Sequence, residues 1–155
     1  MSELPPGMQF RPMYEFNATT DRPIFDAGSK REGYWPTLSG ASFDIWRLTD
    51  AEPYAWGKRS KVIEVLQEKR KRQVKLKTSA YFGFTDAWAL DESTLPCLSP
   101  RIAFRSVTNA TNSRTCIACL VPGGLTLTNA APFLVRIDAS EEVEAFMLGV
   151  LCSIP

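Results

Sequence analysis

Histidine is absent from all 155 residues. Its absence removes Ser-His-Asp and Cys-His nucleophiles, imidazole proton transfer near neutral pH, and every zinc site that needs an imidazole ligand. No apolar run approaches the ~20 residues of a membrane-spanning helix. The opening MSELPPGMQFRPMYEF also lacks the basic-then-apolar layout of a signal peptide. The chain is therefore expected to be cytoplasmic, with no membrane partner. The nine glycines are scattered, and neither G-x-G-x-x-G nor G-x-x-x-x-G-K-S/T occurs, so the loops that bring backbone against a phosphate or an adenosyl cofactor are missing. Global polyelectrolyte character is missing too: the net charge is +1, and any affinity for nucleic acid has to be local.

What is present suits a folded domain. At 45% hydrophobic and 23% charged residues, the chain can build a core and is not a disordered tail. Residues 1–155 read as one domain. Four cysteines occur, at 97, 116, 119 and 152. Cys116-Ile-Ala-Cys119 has C-x-x-C spacing, but its surroundings, Thr115-Cys-Ile-Ala-Cys-Leu-Val121, read as a buried strand. Residues three apart in a strand point to opposite faces, so these thiols diverge. With no second pair and no histidine, all four cysteines are expected to be free, buried thiols.

Along the chain, residues 1–38 are rich in Pro, Gly and aromatics and read as an irregular leading segment, with short extended pieces such as Met13–Phe16. Residues 39–155 form the expected core. Ser42–Arg47 alternates and reads as a strand, and Tyr54–Trp56 as a short extended piece. From Lys58 to about Arg72 the period becomes helical, with Val62, Val65, Leu66 and Lys69 on one face. Val74–Lys77 alternates and is expected to re-enter a sheet. Next come strands at Arg101–Val107, Thr115–Val121, Leu125–Asn129 and Phe133–Ile137, with Pro122-Gly123-Gly124 as a hairpin signal. Asp138-Ala-Ser-Glu141 opens a final helix that is apolar nearly all round and expected to be buried. The chain then stops at Ile154-Pro155 without a polar tail, as a fragment of a longer chain would. The fold class is α+β, a mixed and mostly antiparallel sheet with a basic helix and a C-terminal helix.

The charge distribution is uneven. Residues 57–77 hold nine Lys and Arg against Glu64 and Glu68, a local +7 that leaves −6 for the remainder. A helix with one apolar and one cationic face can lie along nucleic-acid phosphates. The same charge equally fits a solvated face. Arg101 and Arg105 stand four apart in one strand and share a face, opposite Ile102 and Phe104. Arg114 comes after the polar loop Thr108-Asn-Ala-Thr-Asn-Ser113. Arginine reads guanine bidentately and asparagine reads adenine. Trp35, Trp46, Trp56 and Trp88 fit core or rim packing better than base stacking. The carboxylates Asp44, Asp50, Asp86, Asp91 and Glu92 sit in polar surroundings and read as surface charge.

An ordered series of blocks carries a resemblance. Ser99-Pro-Arg-Ile-Ala-Phe-Arg-Ser-Val-Thr-Asn-Ala-Thr-Asn-Ser-Arg-Thr115, Leu120-Val-Pro122, Thr128-Asn-Ala-Ala-Pro-Phe-Leu134 and Ala145-Phe-Met-Leu-Gly-Val-Leu-Cys-Ser-Ile154, with Ser42–Trp46 and Tyr54–Trp56 before them, run in register. The series resembles the C-terminal, TaqI-like target-recognition domain of type II/IIG restriction–modification adenine-N6 DNA methyltransferases, over about residue 13 to the end. Glu64–Pro96 contributes little. The resemblance implies a DNA-recognition module that positions duplex DNA for base flipping and methylation by a catalytic domain outside this sequence. Double-stranded DNA and that intramolecular methyltransferase domain are the implied partners. No cofactor is expected in this fragment, and S-adenosylmethionine in the parent protein. The family's Asn-Pro-Pro-Tyr/Phe catalytic motif is missing; Asn129-Ala-Ala-Pro-Phe133 spaces its asparagine one residue too far, so Asn129 reads as structural or DNA-facing. Ala130 stands where the family often has a basic residue, Asn109 where it often has Arg, and Asn112 where it often has Asp.

Lys58, Arg59, Lys61, Lys69, Arg70, Lys71 and Arg72 are the expected phosphate contacts. Arg101, Arg105, Asn109, Thr111, Asn112, Arg114 and Asn129 are expected to approach bases or the groove. No catalytic residue and no metal ligand is assigned. Two other classes stand beside this reading: a structural or protein-interaction domain with a basic helix, and a self-contained metal-dependent nuclease core.

Overall fold

The computed structural model describes residues 8–26, 28, 30–109, 112 and 114–153. In chain order the elements are strands β1 (Met8–Met13), β2 (Tyr34–Leu38), β3 (Phe43–Asp44), β4 (Arg47–Leu48) and β5 (Ala55–Lys58), helices α1 (Arg59–Gln73) and α2 (Asp86–Leu90), strands β6 (Arg101–Phe104), β7 (Ala118–Val121), β8 (Thr126–Leu127) and β9 (Phe133–Ala139), and helix α3 (Glu141–Ser153). A four-stranded antiparallel sheet runs β1-β9-β6-β7. A smaller sheet runs β5-β2-β8, with β2 antiparallel to β5 and parallel to β8. The pair β3-β4 is a separate two-stranded ladder. The class is α+β with mostly antiparallel pairing, as expected.

The larger sheet carries a core cluster on each face. Side chains alternate along a strand, so each face packs against its own cover. Ala103, Cys119 and Phe133 pack with Phe43, Leu125 and Leu127 on one face. Ile102 and Ala118 pack with Leu148 and Cys152 of α3 on the other. A third cluster seats Val62, Ile63 and Leu66 of α1 on Phe16, Leu95 and Cys97. A fourth gathers Val74, Tyr81 and Ala89 beside Phe84 and Trp88.

Several expectations are corrected. Residues 1–38 are not irregular throughout, because β1 and β2 fall within them. Pro12 and Pro36 obscured both strands. β8 pairs only with Thr37 and Leu38 of β2, so no ladder bond is required of Pro36 on that side. Ser42–Arg47 is not one strand. Trp46 takes φ 70 and folds the chain back, so that Asp44 opposes Arg47. Val74–Lys77 forms turns closed by Val74 N–H to the Arg70 carbonyl and Leu76 N–H to the Gln73 carbonyl. Pro122-Gly123-Gly124 turns the chain but makes no hairpin. β8 leaves the larger sheet and pairs with β2, while the Gly124 N–H bonds to the Cys97 carbonyl at 2.8 Å. Helix α3 is not buried all round: Glu144, Leu148 and Cys152 form its covered stripe, and Phe146 is 67% exposed.

Candidate nucleic-acid interface

Helix α1 forms because Arg59–Gln73 contains neither Gly nor Pro and is dominated by Lys, Arg, Glu and Gln. Arg70, Lys71 and Arg72 in its last turn also suit the negative end of the helix dipole. The buried stripe is Val62, Ile63, Leu66 and Arg70, and this stripe sorts the seven expected phosphate ligands. Lys58, Lys71 and Arg72 are exposed. Arg59 is exposed but pairs with Glu92 at 3.0 Å, and Lys61 pairs with Glu64 at 3.0 Å.

Lys69 and Arg70 are withdrawn as phosphate ligands. The Lys69 ammonium bonds to the Glu15 carbonyl at 3.1 Å and to the Asp21 carboxylate, over the Phe16 ring. Arg70 is buried. Its guanidinium stacks 3.8 Å from the Trp88 ring centre, and Nη2 donates to the Trp88 carbonyl at 3.0 Å and to Thr94 Oγ1 at 2.6 Å. Both side chains join α1 to what lies beneath it.

The expected groove-facing arginines do not form a cationic sheet face. Arg101 is 3% exposed. Its Nη2 lies 3.0 Å from each oxygen of Glu15 and 3.1 Å from the Leu125 carbonyl, above the Phe133 ring. The physical reason is the sheet's second buried face: the side opposite Ile102 is core as well. Arg105 Nη2 and Nε donate to the Phe43 carbonyl at 2.6 and 3.2 Å. Arg114 donates to the Cys152 carbonyl at 3.1 Å, in the last turn of α3, where a cation meets the negative end of the helix. Asn129 Oδ1 accepts from the Ala18 N–H at 2.9 Å and so anchors the segment after Phe16. The Asn112 N–H closes a turn on the Asn109 carbonyl at 2.9 Å; Asn109 is exposed and Asn112 half-buried. Thr111 lies outside the described residues. Arg101 is thus corrected to a structural role, Arg105 is half-buried on the Phe43 carbonyl, and Asn129 holds the Ala18 N–H while staying exposed.

Burial pushes the Glu15 carboxyl up from its ordinary value, against the pull of the Arg101 guanidinium and the Leu127 N–H. It also pushes the Cys97 and Cys119 thiols up to about 12. All four cysteines are free; Cys97, Cys119 and Cys152 are buried and Cys116 is half-buried.

Sequence reasoning passed over Glu15. A single acid between Tyr14 and Phe16, in a piece already read as extended, was the available signal for a buried partner. Among the described residues no group of three His, Cys, Asp or Glu side chains is placed to hold a metal ion, and no helix is long and apolar enough to cross a membrane. No family model matches the chain, and no curated protein matches it.

Proposed function

We propose that this chain is a DNA target-recognition module that tracks the phosphate backbone with the exposed cations of α1 and the turn after it. The supporting observation is their distribution. Of the nine basic side chains in residues 57–77, all but Lys69 and Arg70 are exposed, and Lys58, Lys71 and Lys77 make no ion pair among the described residues. The acids on the same stretch are Glu64 and Glu68 only, so the exposed surface stays cationic after the buried pair is removed. Base reading falls to exposed Asn109 and half-buried Asn112, with Thr111 as a candidate on sequence alone. Lys and Arg on phosphates fix orientation, and asparagine on a base edge adds sequence preference.

Adenine methylation belongs in this proposal to a separate catalytic domain of the parent enzyme, which would bind S-adenosylmethionine as the methyl donor. Where β5 joins α1, Gly57 leaves no room for such a cofactor. A Cβ on Gly57 would meet Val62 Cγ2 at 2.7 Å and Phe25 Cδ1 at 3.3 Å, so protein side chains already fill that cradle.

The test is the salt dependence of binding to a mixed-sequence DNA duplex. Each phosphate contact adds about 0.9 to the slope of log K against log salt. Replacing Lys58, Lys71, Arg72 and Lys77 by Gln together is expected to lower that slope by about 3–4, with the melting temperature unchanged. A flat response in the unaltered chain overturns the reading. A protein-interaction domain is the second reading, favoured by Phe146 and Val150, which leave an apolar strip open on the outer face of α3. Replacing both by Ser then weakens a protein partner and leaves DNA binding as it was.

A further inference from the structure

We propose that the cleft between α3, β7 and the β3–β4 turn binds a small organic cation with a flat apolar body, Trp46 forming one wall and Glu141 meeting the charge. The first observation is backbone strain. Trp46 is the only non-glycine at positive φ among the described residues, at φ 70. A bulky side chain there is a steric outlier where Gly or Asn would be relaxed. Its N–H is fixed to the Ala118 carbonyl at 3.1 Å, which holds the backbone at the edge of the cleft, yet the residue is 57% exposed. The β3–β4 reversal needs a positive φ at this position, but glycine would serve it without strain, and burial does not offset the strain of a tryptophan there.

The second observation is the cavity itself. It holds about 370 Å³ and is walled by Trp46, Pro100, Leu120, Ala145 and Leu148, a size and lining typical of small-ligand sites. Leu120 sits on the sheet face that α3 covers elsewhere, but here remains 46% exposed. The third is charge. Arg136 and Glu144 line the cleft and pair at 3.4 Å, so they largely cancel. Glu141, on the same wall, leaves the cleft's charged lining with one more carboxylate than cations. A cation over an indole face and near a carboxylate is attracted by both. An anion is not, so the site stands apart from the phosphate surface on α1.

The probe is benzamidinium, with neutral benzamide as its isostere, titrated against the whole chain by calorimetry and by methyl shifts of Leu120 and Leu148. Saturable binding is expected near a millimolar dissociation constant. Trp46→Gly is expected to abolish binding while leaving the melting temperature equal or higher, since glycine adopts this φ without strain. Glu141→Gln is expected to weaken binding about threefold. Three results overturn the proposal: no saturable change by about 10 mM, benzamide binding as tightly as benzamidinium, or a lower melting temperature in Trp46→Gly, which means that the ring is kept for packing.

Discussion

The Arg101 guanidinium and the Glu15 carboxylate meet at 3.0 Å with each side chain only 4% exposed. The same carboxylate accepts the Leu127 N–H at 2.6 Å, and Arg101 also holds the Leu125 carbonyl. The pair thus ties the segment after β1 to β6 and to the chain entering β8, which connects the two larger sheets. Removing one partner of a buried pair leaves the other charged and alone, at a cost of about 3–5 kcal/mol. Arg101→Met and Glu15→Gln are each expected to lower the unfolding free energy from urea titration by that order. The double change Glu15→Leu with Arg101→Met is expected to recover only part of the loss, because an apolar pair removes the charge desolvation but leaves the Leu127 N–H and the Leu125 carbonyl without these partners. A groove-facing Arg101 predicts instead a normal midpoint and weaker DNA binding.

Arg70 and Lys71 are adjacent in sequence but differ in role. Arg70 fills the space between α1 and Trp88 with two side-chain hydrogen bonds. Lys71 points to solvent. Arg70→Lys keeps the charge but loses the planar fork and the stacking, and is expected to cost about 1–3 kcal/mol through the groups it leaves unpaired. Lys71→Gln is expected to leave stability unchanged within about 0.5 kcal/mol while lowering the salt slope of DNA binding. Parallel melts and salt titrations of the two variants separate the roles.

The basic helix was legible because its signal is local. Residues 59–73 lack breakers and space Val62 and Leu66 four apart, and the helix is found within a residue of its expected start. The direction of its cations was not legible. Lys69 and Arg70 belong to a +7 stretch in sequence, and only the tertiary positions of Asp21, Trp88 and Thr94 turn them inward. The same limit applies to Arg101. Strand alternation gives two faces but does not say that both are covered, and the cover on its side comes from Phe43, Leu125 and Leu127. Strands holding proline, and the reversal at Trp46, went unread because local propensity argues against each of them.

Cys97 and Cys119 link stability to alkaline pH. Each thiol is raised from 9.0 to about 12 in the folded chain, chiefly by burial. Above the ordinary thiol value the unfolded chain therefore releases protons that the folded chain retains. Their contribution is complete below about pH 9 and is lost as pH rises toward about 12, with a slope of at most about 1.4 kcal/mol per pH unit for each thiol. Burial raises the Tyr81 hydroxyl as well, which extends the fall. Urea midpoints at about pH 8 and about pH 10.5 are expected to show the decline, and Cys97→Ala is expected to make it shallower. In the native chain the half-buried Cys116 is expected to react first with a thiol reagent, ahead of the three buried thiols.

Gly123 is where the chain passes from the larger sheet toward the smaller one, and its lack of a side chain makes the passage possible. A Cβ there would stand 2.3 Å from the Leu98 carbonyl oxygen and 2.7 Å from its carbon. Both are backbone atoms of the 3-10 turn Pro96–Leu98, which also receives the Gly124 N–H at the Cys97 carbonyl. The obstacle cannot rotate away as a side chain would. Gly123→Ala is therefore expected to push the two turns apart and cost about 1–3 kcal/mol, the range for forced overpacking. Gly124, at φ 82 with nothing within 4 Å of its Cβ position, fails for a different reason. Gly124→Ala meets only the strain of a left-handed backbone, about 1–2 kcal/mol, and Gly124→Asn is expected to recover part of it. Gly123→Asn is expected to recover nothing, because a larger side chain meets the same carbonyl. Four melting curves decide whether contact or conformation governs each position.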